Sequence, residues 1–498
     1  MPPVSAVALD SDCSRKCHTA AKNPIVFESK PRGSDVNNSA RAILFATTLL
    51  ASGSALSAPT LLAVGSLTGS SAGANADLSG LTGNLENGVP ADLLGGMGSG
   101  LAWAGGNTFL AAPDRGPNAV SYNSAIDDTA SYIARYQTVT MSLTPGGGGS
   151  TPFTLTPIVT ATTLLSSPTA LNYGTGAGLG TKIDHSTPIG SGAPSQNTAN
   201  HFFFTGRSDN FGAGNSGNPA NARLDPEGIR VSADGKSVFV SDEYGPYVYQ
   251  FDRATGQRLR AYKLPDELNV SQLSPVGATE INASKNPAGN TSGRVANKGM
   301  EGLAITPDGK TLVGAMQAAL IQERDYQVGA TNPNGKIIRL VTIDVATGAT
   351  KQFAYKLTTG SGVSEITAIN DHEFLVDERD GSGLGNGDST GANGKVFYKI
   401  DITGATDISG MTEAQIAAVT PLTKTATVNF VSLLNANGIT SNRIPAKIEG
   451  LAFGDDLFVN GVRMHTLWVA NDNDFLSTAT LSSGTVVPNP SEFFVIMN

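Results

Sequence analysis

One unit recurs along this 498-residue chain with its parts in a fixed order. An apolar strand opens on Glu-Gly, an Asp-Gly turn reverses the chain, a second strand ends in acids, and a third, alternating strand closes on Asp-x-x-Thr-Gly. The clearest copy, residues 225–256, reads DPEGIRVSADGKSVFVSDEYGPYVYQFDRATG. Residues 299–348 repeat it, as do residues 364–404 and the stretch from Lys447 onward. Residues 98–117, GSGLAWAGGNTFLAAPDRGP, keep the strands, turn and terminal acid without the glutamate. Glu-Gly and Asp-Gly are common turn dipeptides, but chance does not make them recur in one order with the same flanking strands. Such a four-strand meander cannot bury its faces alone, and radial repetition of about four to eight copies gives a β-propeller.

The copies begin near residues 100, 228, 302, 366 and 450, so the first interval of 128 residues is much longer than the later ones of 74, 64 and 84. A divergent blade between Thr151 and Arg207 would fill it. The expected fold is therefore all-β, a single propeller of six blades, with five or seven also compatible. The strand TLLAVGSL at Thr60 and the terminal EFFVIMN are expected to pair in one blade and close the ring. Composition agrees: 58 glycines and 26 prolines supply turns, charged residues are only 15%, and a 40% hydrophobic fraction supplies a core. A net charge of -9 repels duplex nucleic acid and anionic membrane surfaces, which excludes both as partners.

Residues 41–58, RAILFATTLLASGSALSA, combine a basic residue, a short apolar run and small residues at Ala55 and Ala58, the pattern of a secretory signal. The run is too short to span a bilayer, although an uncleaved anchor is the alternative. Residues 1–58 thus read as leader and signal, and residues 59–498 as the propeller, secreted or periplasmic and monomeric. The start lies near Arg41 or the leader is long. Cleavage removes both cysteines, Cys13 and Cys17, and Cys13 to His18 is one residue too long for haem attachment.

In a propeller the innermost strands surround a central channel, so equivalent repeat positions form a ring. Glu227, Glu301, Glu365 and Glu449 share one such position, and Asp114, Asp242, Glu243, Asp377, Glu378, Asp472 and Asp474 end second strands as a second tier. Converging carboxylates repel unless protons, arginines or a cation compensate, and oxygen-rich, flexible acidic sites suit Ca²⁺. Each glutamate has a second reading, as a latch accepting backbone N–H groups of the next blade. His185, His201, His372 and His465 lack zinc-ligand spacing. Arg115, Arg379 and Arg207 either clamp a phosphate or carboxylate or neutralise acidic neighbours. Gly-x-Ser-x-Gly occurs around Ser71 and Ser389 without the strand-turn-helix context that a nucleophile needs. Gly-rich stretches at 68–100, 172–220 and 380–394 read as loops framing one rim or as surface decoration.

The ordered set Ser99-Gly100-Leu101 with Asp114-Arg115-Gly116, Glu227-Gly228 with Asp242-Glu243-Tyr244-Gly245, Glu301-Gly302 with Gln317, Glu365 with Glu378-Arg379, and Glu449-Gly450 with Asn471-Asp472 resembles the phytase-like, "esterase-like activity of phytase" family. The resemblance runs roughly from Thr60 to Asp474. It implies a bacterial, exported propeller related in architecture to calcium-dependent propeller phytases, with phosphoester or ester hydrolysis. Ile366 departs from the pattern by replacing the glycine after Glu365, and the insertions at 172–220 and 268–298 are long.

The resulting expectation is a metal-assisted hydrolase of a small phosphorylated or ester-bearing substrate. Glu227, Glu301, Glu365 and Glu449 would ligate Ca²⁺, Asp114, Glu243 and Glu378 would handle protons, and Arg115, Arg379 and Arg207 would hold substrate anions. A non-catalytic, calcium-stabilised scaffold propeller is the alternative from another class, and a sugar-lactone hydrolase is a third reading.

Overall fold

The Asp-Gly turns reverse the chain as the repeat requires. Gly235 and Gly309 both sit at φ 72°, a conformation open to glycine, and Asp234 and Asp308 each accept the N–H two residues on at 3.1 and 3.0 Å. In the computed structural model the described residues are 59–67, 76–118, 129–146, 151–177, 179–274, 280, 289–323, 336–358, 362–389, 394–459 and 462–497. All of them belong to one compact unit, Leu56–Asn498. The expected leader and signal at 1–58, both cysteines and Ser71 lie outside the described residues.

Five antiparallel four-stranded sheets make five blades. From the axis outward, blade 1 is Gly100–Trp103, Thr108–Ala112, Arg135–Pro145 and Phe153–Leu164; blade 2 is Pro226–Val231, Ser237–Asp242, Tyr247–Asp252 and Arg258–Lys263. Blade 3 is Met300–Ile305, Thr311–Met316, Ile337–Asp344 and Thr350–Lys356, and blade 4 is Gly362–Ala368, Glu373–Arg379, Lys395–Asp401 and Lys424–Asn429. Blade 5 is Lys447–Phe453, Thr466–Asp472 and Ser491–Met497, completed by Thr60–Leu67. The expected closure is therefore present, with Thr60 opposite Met497 and Leu67 opposite Ser491.

The count is five, the smaller of the alternatives, not six. Phe153–Leu164 completes blade 1, and among the described residues the segment beyond it contributes only the two-residue ribbon of Ser166–Ser167 with Phe202–Phe203 plus loops. The long first interval comes from an extended hairpin and a loop layer.

Alternation along each strand points successive side chains at the two neighbouring blades. Val238 and Val240 pack toward blade 1 with Leu110 and Tyr136, whereas Phe239 between them packs toward blade 3 with Leu303 and Leu312. Five such clusters, one per blade interface, make up most of the core, the last joining Trp468 and Val495 of blade 5 to Leu101 and Phe109 of blade 1.

The glycine of Glu-Gly is where consecutive inner strands touch. A Cβ on Gly228 would lie 2.5 Å from Leu303 Cβ, and one on Gly302 would lie 2.9 Å from Glu365 Cα. Gly228→Ala is expected to destabilise the protein by about 1–3 kcal/mol, read from urea denaturation, because two backbones must separate to admit the methyl group. An unchanged midpoint would contradict this packing.

Candidate functional site

Each inner strand of blades 2 to 5 has an irregular step in its pairing, between Pro226 and Ile229, Met300 and Gly302, Val363 and Glu365, and Ile448 and Gly450. The register settles which residues are equivalent. Gly302 stands opposite Ala315, Gly450 opposite Ala470 and Gly100 opposite Ala112, but in blade 4 the residue in that row is Glu365, opposite Asp377. Ser364, not Glu365, therefore holds the glutamate position. The lower tier is Ser99, Glu227, Glu301, Ser364 and Glu449. At or just past the ends of the second strands, two residues beyond the partners in that row, Asp114, Glu243, Gln317, Arg379 and Asp472 form the upper tier. Nine of these ten residues, all but Ser99, line one cavity of about 180 Å³, together with Arg115, Lys298 and Lys447.

The blade 2 side of the cavity is acidic. Asp225, Glu227 and Glu243 are buried and offer one oxygen each within 4.8 Å of one another. Burial raises the Asp225 and Glu243 carboxyls to about 7, and burial reinforced by Glu301 pushes Glu227 well above the usual carboxylate range. Arg115 offsets part of this, donating its backbone N–H to Asp225 at 2.8 Å and setting Nη1 3.4 Å from the same carboxylate. Glu243 Oε1 is buried without a hydrogen-bond partner. Three converging carboxyl groups, one with an orphaned oxygen, are a donor set that fits a hard divalent cation once ionised.

The opposite side is mixed. Arg379 donates from Nε to Ser364 at 2.5 Å, and its Nη2 contacts Glu449 and lies 3.8 Å from Glu301. Lys298 donates to Gln317 at 3.0 Å, and Gln317 donates to Glu301 Oε1 at 2.8 Å, which leaves Oε2 of Glu301 buried without a partner. Burial and the Glu449 charge raise Glu301 to about 7, and burial raises Asp114 to about 6.

Several residues singled out by sequence stand elsewhere. Glu365 is fully buried below the cavity, where Oε1 accepts from the Leu303 and Ile366 N–H groups at 2.9 Å each and Oε2 lies 3.0 Å from Arg230 Nη2. It is a latch on the preceding blade rather than the next one, and not a ring ligand. Arg230 also donates to the carbonyls of Leu101 and Ile366 at 2.7 Å, so the pair ties inner strands together beneath the lower tier. Glu378 points the other way from Arg379, as alternation demands, and binds Tyr355 at 2.5 Å, the Thr358 N–H at 3.0 Å, and Lys424; it has no proton-handling place in the cavity. Arg207 is buried among Asp209 at 2.7 Å, Glu86 at 3.2 Å and the Gly190 carbonyl at 2.5 Å, so it neutralises acids and holds loops. Asp242 caps its turn through the Tyr244 and Gly245 N–H groups, and Asp377 is buried in the blade wall.

Asp225, Lys298 and Lys447 were not legible as site residues. Asp225 and Lys447 both stand two residues before a ring glutamate, in DPEG and KIEG, and that shared offset was the available signal.

With this geometry in hand, the family described as phytase-like, "Esterase-like activity of phytase", matches residues 92–475. The chain belongs to this family. An "Uncharacterized secreted protein" of Arthroderma benhamiae is 33% identical to this phytase-like protein over 193 residues, 34% of this chain and 37% of the relative. The match thus spans a little over a third of that relative's length. Among solved structures, the periplasmic gluconolactonase of Pseudomonas aeruginosa is 11% identical, with 82% of this chain and 90% of that chain covered at a TM-score of 0.29. The PQQ-bound aldose sugar dehydrogenase of Streptomyces coelicolor is 10% identical, with 87% and 99% covered at 0.29. No described helix of the phytase-like chain is long and apolar enough to cross a membrane.

Proposed function

We propose that this phytase-like propeller is an exported, metal-assisted hydrolase of phosphoester or carboxylic ester substrates. The observation that carries the reading is the buried Asp225, Glu227 and Glu243 set, with its orphaned Glu243 oxygen, of which Glu227 and Glu243 line one cavity with Arg379, Lys298 and Lys447. Family membership and the relative named as secreted support it. Asp225, Glu227 and Glu243 would hold a divalent cation, Ca²⁺ being the best match to an all-oxygen set. Such a cation, when bound, polarises a scissile group and acidifies a bound water. Arg379 and Lys298 present donors to an anionic head group across the cavity. Glu301, with a free oxygen and a carboxyl raised to about 7, takes or gives a proton near neutral pH, and Asp114, raised to about 6, is the second proton-handling group. A volume of about 180 Å³ admits a phosphoryl or short acyl group rather than a whole large substrate.

The test is a screen of a chromogenic phosphomonoester, a phosphodiester, a short acyl ester and a sugar lactone, each with Ca²⁺ and with chelator. Turnover of one of the first three is expected, abolished by chelation while the protein stays folded. Arg379→Ala should raise KM about tenfold or more, since a hydrogen bond to a charged group contributes roughly 1.5–3 kcal/mol. Lactone turnover alone would instead make the protein a lactonase. Absence of all turnover, with chelation only lowering the melting temperature, would make it a calcium-stabilised scaffold.

A further inference from the structure

Blade 5 carries a counterpart of the blade 2 carboxylate set in which one acid is exchanged for a lysine and another is shortened from glutamate to aspartate. Position by position, Asp225, Glu227 and Glu243 of blade 2 correspond to Lys447, Glu449 and Asp472 of blade 5, because both triplets sit at the same offsets from the pairing steps at Pro226/Ile229 and Ile448/Gly450. The acids on the blade 5 side remain grouped: Asp114, Asp472 and Asp474 each offer an oxygen within 4.8 Å of the others. What differs is that an ammonium is already there. Lys447 Nζ lies 2.7 Å from Asp472 Oδ2 and also contacts Asp474 Oδ1. Blades 1, 3 and 4 lack a comparable triplet, having Met97, Ser99 and Asp114, Gly299, Glu301 and Gln317, and Gly362, Ser364 and Arg379 at these places.

We propose that Lys447 is a tethered cation filling the blade 5 counterpart of the blade 2 site, so that the cavity accepts one exchangeable divalent cation instead of two. The inference rests on the reading that blade 2 holds a cation. A fixed ammonium satisfies Asp472 and Asp474 without an open coordination position, and it leaves the blade 5 side free to contact substrate as a donor rather than as a second metal centre.

Calcium titration calorimetry on the full chain, first stripped with chelator, separates the two ideas. Glu243→Gln is expected to lose one bound equivalent relative to the unaltered protein, and Lys447→Asp to gain one. Lys447→Met removes the charge at nearly constant side-chain length and is expected to gain one as well, which keeps the test decisive if the aspartate variant does not fold. Folded Lys447 variants that bind the same number of ions as the parent, while Glu243→Gln still loses one, overturn the tethered-cation inference alone. No loss in folded Glu243→Gln overturns the blade 2 site, and the inference with it.

Discussion

Glu365→Ala is expected to lower the unfolding free energy by about 3–5 kcal/mol, because it strands a buried charge. The carboxylate is 0% exposed, accepts the Leu303 and Ile366 N–H groups and faces Arg230 at 3.0 Å. Alanine leaves the guanidinium without a counter-charge, its Nε already lacking a partner, and leaves the Leu303 N–H without this acceptor. Urea denaturation of Glu365→Ala, Glu365→Gln and the double variant Arg230→Met with Glu365→Met distinguishes charge from volume. The glutamine variant keeps one acceptor and should lose less, and the double variant should recover much of the loss, since apolar replacements of a buried pair are often neutral. A loss below about 1 kcal/mol for Glu365→Ala would show that the pair is not a structural tie.

Stability should also fall as pH rises from about 5 to about 8 in the presence of chelator, and Ca²⁺ should remove the decline. Asp225, Glu243 and Glu301 are raised to about 7 and Asp114 to about 6, from ordinary values of 3.8 for aspartate and 4.5 for glutamate. Between those limits the native protein retains protons that the unfolded chain has released, so raising the pH favours unfolding. Each group contributes up to about 1.4 kcal/mol per pH unit in its window. Asp474 and Glu280 shift the other way, under the Lys447 and Arg294 charges, so their contribution is lost only at lower pH, below the window. A cation replaces the protons as the compensating charge and so favours the ionised native form. Melting temperatures across this range that are flat or rising in chelator would show that the carboxylates are not strained by burial.

Much of this was legible because the repeat has strong turn chemistry. Glu227, Glu301 and Glu449, with Asp114, Glu243 and Asp472, reach one cavity from blades far apart in sequence, which follows from equal positions in equal units. Blade 4 misled for a local reason. Aligning the one glutamate of its inner strand with the others shifts the strand by one residue, and a one-residue shift turns every side chain to the opposite face, so Glu378 was read into the tier of acids at the place that Arg379 occupies. Aligning Glu365 with the glycines gives the observed register, but an acidic residue in a row of glycines is a substitution that only packing around Arg230 explains. The preferred count of six, with five kept open, overshot for want of length information, since the hairpin of Arg135–Pro145 and Phe153–Leu164 occupies sequence that a blade would need. Arg207 in TGRSDNF looked like a polar loop residue, and nothing local distinguishes a buried ion pair with Glu86 from an exposed clamp.

The strand that completes blade 5 is Thr60–Leu67, paired with Ser491–Met497, so the circle is fastened by the earliest and latest described segments of the polypeptide. A ribosome delivers the first of these long before its partner exists. Until the final residues emerge, Leu61, Leu62 and Ala63 have no Phe494 or Val495 to cover them. Joining ends more than four hundred residues apart carries a loop-closure entropy that the blade interfaces must offset, so fastening is expected to come late in assembly.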